Sequence, residues 1–134
     1  MKEIDPIDQK ILDLLTTDSR MSNKQIGEIV HRTGQAVGLR IEKLKTDGIL
    51  KRYTIEITTE QKSYIRLFLK VTPSEKIERL ILSHQQVLEL NKVAGQACYI
   101  VVTCFSSHQL NQFLEDIEPF ATYTVETVLK QIKP

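Results

Sequence analysis

The sequence predicts an α+β fold in two parts, and three observations carry that expectation. Three short helix-period apolar patterns open the chain, β-rich runs then alternate with two further helical patterns, and capping or turn residues fall between most of them. These boundaries give a three-helix head at residues 1–53, a connector at 54–62 and a sheet-and-helix part at 63–134. With 134 residues, 41% hydrophobic and 26% charged, the chain has the composition of a globular protein. No apolar run approaches the ~18–20 residues needed to cross a bilayer, and the opening MKEIDPIDQK is acidic and polar. A cytoplasmic protein with no membrane partner is the expectation.

The first helix is read over residues 5–17, where Ile7, Ile11, Leu12, Leu14 and Leu15 form the apolar stripe. Asp5 suits the N-cap and Pro6 the first helical position. Ser22 caps a second helix, with Gln25 completing a capping box, Met21 stapling against Ile26, and Ile26, Ile29 and Val30 facing inward. After His31-Arg32, Thr33 caps a third helix running to about Thr46, with Val37, Ile41 and Leu44 on one face. Two short amphipathic helices joined this tightly predict a helix-turn-helix, whose second member presents its N-terminal residues to base edges in the major groove. Asp47-Gly48 makes a turn, and Ile49 to Ile57 alternates toward a strand, so that the head is of winged type or continues into a connector.

Charge points the same way. The chain is formally +1, but residues 20–53 hold eight basic and three acidic side chains, a net of +5. Residues 1–19 hold two basic and five acidic, and residues 54–134 eight and nine. One segment therefore has a field that favours phosphate, and double-stranded DNA is the expected partner. Gln35, Ala36, Leu39, Arg40 and Lys43 are the outward positions: Gln35 can pair with adenine, Ala36 can touch a thymine methyl, and Arg40 and Lys43 can reach guanine edges or phosphates. Thr33 and Gly34 open the helix toward a phosphate, Lys51 and Arg52 can brace the backbone, and Ser22, Asn23, Lys24 and Arg32 complete the candidate DNA surface. Gly38, an interior helical glycine costing about 1 kcal/mol relative to Ala, is read either as a close approach to DNA or the neighbouring helix or as a tolerated weakness.

In the second part, Ser63 to Thr72 alternates as a strand, and Pro73-Ser74 starts a helix with Ile77, Leu80, Ile81 and Leu82 inward. Val87–Val93 and Cys98–Phe105 form two β-rich runs joined through Ala94-Gly95-Gln96-Ala97. Ser106 or Ser107 caps a helix with Leu110, Phe113, Leu114 and Ile117 inward, Pro119 follows, and Thr122–Ile132 is the last strand. The order β-α-β-β-α-β predicts a ferredoxin-like domain.

These residues resemble the Lrp/AsnC family of transcription regulators. The likeness rests on D-x-x-D-x-x-I-L-x-L-L (Asp5 to Leu15), R-M-S-N (Arg20 to Asn23), R-I-x-K-L (Arg40 to Leu44) and D-G-I-L-K-R-Y-T (Asp47 to Thr54). It implies a helix-turn-helix head on a ligand-sensing domain, homodimers that assemble as far as octamers, and a small-molecule effector such as an amino acid bound near Gly95, Gln96, Ala97, Cys98 and Tyr99. Two departures stand out. The recognition-helix start reads Thr33-Gly34-Gln35-Ala36-Val37, and the turn at Gly95–Tyr99 has neutral residues at both positions where the family often has acids, which removes the obvious partner for an effector's ammonium group. That turn is also readable as an ordinary hairpin.

No enzyme, cofactor or metal is expected. His31, His84 and His108 are scattered, at helix surfaces or ends for the latter two, and no triad order, metal spacing or phosphate-binding glycine motif emerges. Cys98 and Cys104 read as small core residues. The sequence thus supports a sequence-specific DNA-binding transcription regulator, with a small-molecule sensor or protein-interaction module as the alternative.

Overall fold

A computed structural model describes residues 3–57, 61–70 and 74–133. The chain divides into two compact units, Met1–Glu56 and Ile57–Pro134.

In the first unit, α1 (Pro6–Thr17) starts on an Asp5 cap whose side chain accepts from the Asp8 N–H at 2.7 Å, with Pro6 opening the helix. α2 (Asn23–Val30) carries the full capping box: the Ser22 N–H donates to Gln25 Oε1 at 2.9 Å and the Gln25 N–H to Ser22 Oγ at 3.1 Å. α3 (Gly34–Thr46) starts on Thr33, which accepts from the Ala36 N–H. Ile11, Leu15, Ile26, Val37 and Ile41 form one buried cluster, with Met21 and Val30 packed against it. Ile29 does not join them; it is 46% exposed. Successive helical residues turn by about 100°, so a face buried at both Ile26 and Gly27 leaves Ile29 on the far rim. The glycine, rather than the third isoleucine, completes the buried face.

After α3 the chain turns through Gly48 at φ 73, and the N–H groups of Ile49 and Leu50 both donate to the Leu44 carbonyl. The strand expected over Ile49–Ile57 does not form. Among the described residues, 51–57 have no regular secondary structure and join no sheet, since alternation becomes a strand only where another strand lies alongside to pair with it.

The second unit is a four-stranded sheet of order β2-β3-β1-β4. Its strands are β1 (Ser63–Leu69), β2 (Val87–Lys92), β3 (Tyr99–Thr103) and β4 (Ala121–Thr127), with α4 (Ser74–Leu82) and α5 (Ser107–Ile117) as the crossovers. All three neighbouring pairs are antiparallel. This is the ferredoxin-like arrangement, each crossover joining parallel strands with another strand between them. The core sets Ile65, Leu67, Tyr99 and Val101 of the sheet against Ile77 and Ile81 of α4 and Phe113 and Ile117 of α5. A second capping box, Ser106 with Gln109, opens α5.

Several boundaries differ from the sequence reading. β4 ends at Thr127 rather than continuing to Ile132, because β1 begins at Ser63, directly opposite Thr127; one further bond joins the Val128 N–H to the Lys62 carbonyl. Positions 71–73, expected at the end of the first strand and the start of the helix, lie outside the described residues. Leu82 is 65% exposed, since it projects about 140° from Ile77 on α4. Cys98 and Cys104 flank β3 as free, partly buried thiols. His84, just past the end of α4, sets its ring edge-on against Phe105 and Phe113, with Asp116 3.9 Å away.

Truncating Phe113 to Ala is expected to cost about 3–5 kcal/mol of stability by urea denaturation. Leu82→Ala should stay within about 0.5 kcal/mol of wild type. Equal losses would contradict the assigned core.

Candidate nucleic-acid interface

The joint between α2 and α3 fixes the geometry of the site. His31 caps α2 in the left-handed conformation (φ 58, ψ 47), and the Arg32 N–H donates to the Gly27 carbonyl at 2.9 Å. A Cβ added at Gly27 would lie 2.4 Å from the Arg32 carbonyl oxygen, so any side chain would push the turn off the helix. Gly27 is therefore the residue that permits the tight link, and its signal in the sequence is a glycine inside a short helix six residues before the next cap. Gly34 and Gly38 have milder surroundings. A Cβ at Gly34 would meet Lys24 backbone at 3.4 Å, and one at Gly38 would meet the Asn23 side-chain amide at 3.1 Å. Gly38 faces the neighbouring helix.

Opposite its buried residues, α3 exposes Gln35, Leu39, Glu42, Lys43 and Thr46. Leu39 is 74% exposed. Ala36 is half-buried. Arg40, expected to reach DNA, turns toward α1: its Nη1 donates to Asp5 Oδ2 at 2.6 Å and to Asp8 Oδ1 at 3.0 Å. Two carboxylates one helical turn apart hold its guanidinium and fix α3 against α1, partners that lie too far away in sequence to be read from α3 alone. The Asp8 N–H, and after it the Arg40 guanidinium, hold the Asp5 carboxyl below its ordinary range; the Asp5 and Asp8 hydrogen bonds push Arg40 up.

The remaining expected contacts are dispersed around this face. Asn23 and Lys24 are exposed at the start of α2, while the Ser22 and Thr33 side chains are engaged as caps. Arg32 is exposed and donates to the neighbouring His31 carbonyl. Lys51 and Arg52 are exposed on the irregular segment after α3. Beside α3 lies a groove of about 600 Å³ lined by Asn23, Gln35, Gly38, Leu39, Ile41, Glu42, Lys45 and Tyr53. Lys45 contacts Glu42 at 3.3 Å and lies 5.3 Å from the centre of the Tyr53 ring. Glu42, Lys45 and Tyr53 are not among the contacts expected from the sequence; what brings them to the groove is the return of the chain past α3, which no local pattern signals.

In the second unit the turn at 95–99 is less open than expected. Gly95 (φ 145) and Gln96 are exposed and Cys98 is partly buried, but Ala97 and Tyr99 are buried, at 8% and 1% exposure. The Tyr99 hydroxyl donates to Glu78 of α4, and burial, then that hydrogen bond, raises its pKa. Tyr99 thus belongs to the core rather than to the wall of an open pocket. Among the described residues no group of three or more His, Cys, Asp or Glu side chains could hold a metal ion.

Residues 4–45 match the AsnC-type helix-turn-helix domain. Two transcriptional regulators of Bacillus subtilis are similar over nearly the whole chain: LrpB, 35% identical with 98% of this chain and 92% of LrpB covered, and LrpA, 37% identical with 94% and 98% covered. The chain belongs to the Lrp/AsnC family of transcriptional regulators. The fold agrees across both units with the solved structure of B. subtilis LrpC (TM-score 0.89, 23% identity, 98% of this chain and 99% of that one). It also agrees with a transcriptional regulator from Neisseria meningitidis solved as an L-Met complex (TM-score 0.86, 21% identity, 98% and 94% covered). The family places the head and the ferredoxin-like unit in one kind of molecule, as the sequence implied. No helix of the described residues is long and apolar enough to cross a membrane.

Gly27→Ala is expected to lose about 1–3 kcal/mol by denaturation, although Ala is the better helix former, whereas Gly34→Ala should be neutral or stabilising. A stabilised Gly27→Ala would contradict the assigned turn. The Asp5 carboxyl titrates below its ordinary 3.8, so its contribution is complete above that pH and is lost as pH falls through the lowered value. The stability gap between wild type and Asp5→Asn should accordingly be full at neutral pH and close below about pH 3.8. A gap that persists in acid would exclude the Arg40 clamp as its source.

Proposed function

We propose that the chain is a sequence-specific DNA-binding regulator of transcription, working as a dimer or larger assembly with two or more α3 helices presented to successive major grooves. The observation that carries this is the exposed face of α3, with Gln35, Leu39 and Lys43 clear of the core, inside both the +5 segment of residues 20–53 and the match of residues 4–45 to the AsnC-type helix-turn-helix domain. Helices so placed read base edges with side chains near their N-terminus, while surrounding Lys and Arg neutralise phosphates. Lys24, Lys43, Lys51 and Arg52 are the exposed cations that suit the backbone role. Symmetric assembly predicts a near-palindromic operator. The chain acts without catalysis, in the cytoplasm, where its DNA lies.

A small-molecule effector is part of the proposal, supported by the L-Met complex of the Neisseria relative. Gly95 and Gln96 are the exposed members of the turn that can meet it. With neutral residues there, recognition of an amino acid's ammonium group falls to backbone carbonyls and the Gln96 amide.

Binding to the protein's own upstream DNA, measured by fluorescence anisotropy across a salt series, tests the reading. Affinity should fall linearly on a log–log plot, and Lys43→Ala should reduce the slope by about one. Arg40→Ala, in contrast, should lower stability and leave that slope unchanged wherever the head stays folded. No binding at low salt, or a slope insensitive to Lys43, would refute the assignment.

A further inference from the structure

Resting on the reading of α3 as the DNA-facing helix, we infer that the groove beside it is a base-reading pocket, in which Leu39 receives a thymine methyl and Glu42 accepts a hydrogen bond from the exocyclic amine of a cytosine. Gln35, Gly38, Leu39 and Glu42 stand at i, i+3, i+4 and i+7, which puts them on one face of the helix, and all four line the same groove. Gly38 contributes no side chain, so the floor of the groove is α3 backbone with the Asn23 side chain packed beside it. Leu39, 74% exposed, forms a wall. A single exposed leucine is ordinary on a protein surface. This one stands between an amide and a carboxylate inside the segment of net charge +5, and in the major groove its chemistry matches the 5-methyl of thymine and nothing on a phosphate.

Glu42 sharpens the assignment. A carboxylate facing DNA is repelled by phosphate unless its charge is offset and its oxygens find a donor. Lys45, 3.3 Å away and itself over the Tyr53 ring, provides the offset and holds the carboxylate at the groove. An ionised carboxylate accepts and cannot donate, so it favours the amine of cytosine over the keto edges of guanine and thymine. The guanidinium that would otherwise read guanine from α3, that of Arg40, is held by Asp5 and Asp8. The pocket therefore discriminates by a methyl and an amine.

The experiment begins with selection of bound duplexes from a random pool by the full-length protein, which defines the half-site. Each thymine of that half-site is then replaced in turn by uracil, a change that removes only the 5-methyl group. One thymine per half-site should show about fourfold weaker binding when replaced, the worth of one buried methyl-sized group, and Leu39→Ala should abolish that difference. Glu42→Gln should relax the preference for one cytosine by about tenfold. Both side chains are exposed, so neither variant should shift the thermal unfolding temperature appreciably. An enriched half-site in which no thymine responds to uracil, or in which the response survives Leu39→Ala, overturns the pocket, as does an unchanged preference in Glu42→Gln. A pool with no enriched duplex overturns the DNA-binding reading itself, and the pocket with it.

Discussion

The close approach of α2 to the turn that follows it governs the geometry of the head. Helix, left-handed cap and next helix start are compressed into a few residues because Gly27 leaves space where any Cβ would strike the Arg32 carbonyl. From that contact the rest is forced. His31 adopts the left-handed conformation, Thr33 is delivered as a cap, and α3 leaves the turn with Val37 and Ile41 on the core and Gln35 and Leu39 away from it. A looser joint would leave the direction of α3 relative to α2 unfixed, and with it the direction in which Gln35 and Leu39 point.

Electrostatics then divides the cations by role. Arg40 ties α3 to the N-terminus of α1, and Lys45 neutralises Glu42 beside Tyr53. Lys43 and the cations at Lys24, Lys51 and Arg52 remain at the surface. A net charge of +5 therefore overstates what can meet phosphate directly, because part of it has structural partners already. It also explains how a protein with overall charge near zero can present one face with a strong preference: the acids of residues 1–19 are not merely distant, and two of them act as internal counter-ions.

The fold was largely legible because its signals are local. The Ser22–Gln25 capping box, the Asp5 and Thr33 caps and the period-2 burial of β1 follow from neighbours a few residues apart, and the structure reproduces them; of the two serines offered as the cap of α5 it selects Ser106. What failed to show depended on partners distant in sequence. The end of β4 is set by where β1 begins; Ile49–Ile57 alternates but lacks a neighbouring strand; Tyr99 is claimed by Glu78 across the sheet-helix interface; Arg40 is claimed by residues 35 and 32 positions earlier. Ile29 and Leu82 show a subtler limit. Each fits a helical apolar pattern, and only the direction of the packed face, set by Gly27 in one case and by Ile77 and Ile81 in the other, puts it outside.

The central claim is that the Gly27 joint aims the Leu39 face of α3 into the major groove. A photo-cross-linking side chain placed at position 39, and separately at position 29 on the exposed rim of α2, tests it most directly when the protein is irradiated on bound duplex and the adducts are mapped. Capture at major-groove base atoms from position 39, with little from position 29, is the expected result. Capture from position 29 with none from position 39 would show that a different face of the head meets DNA.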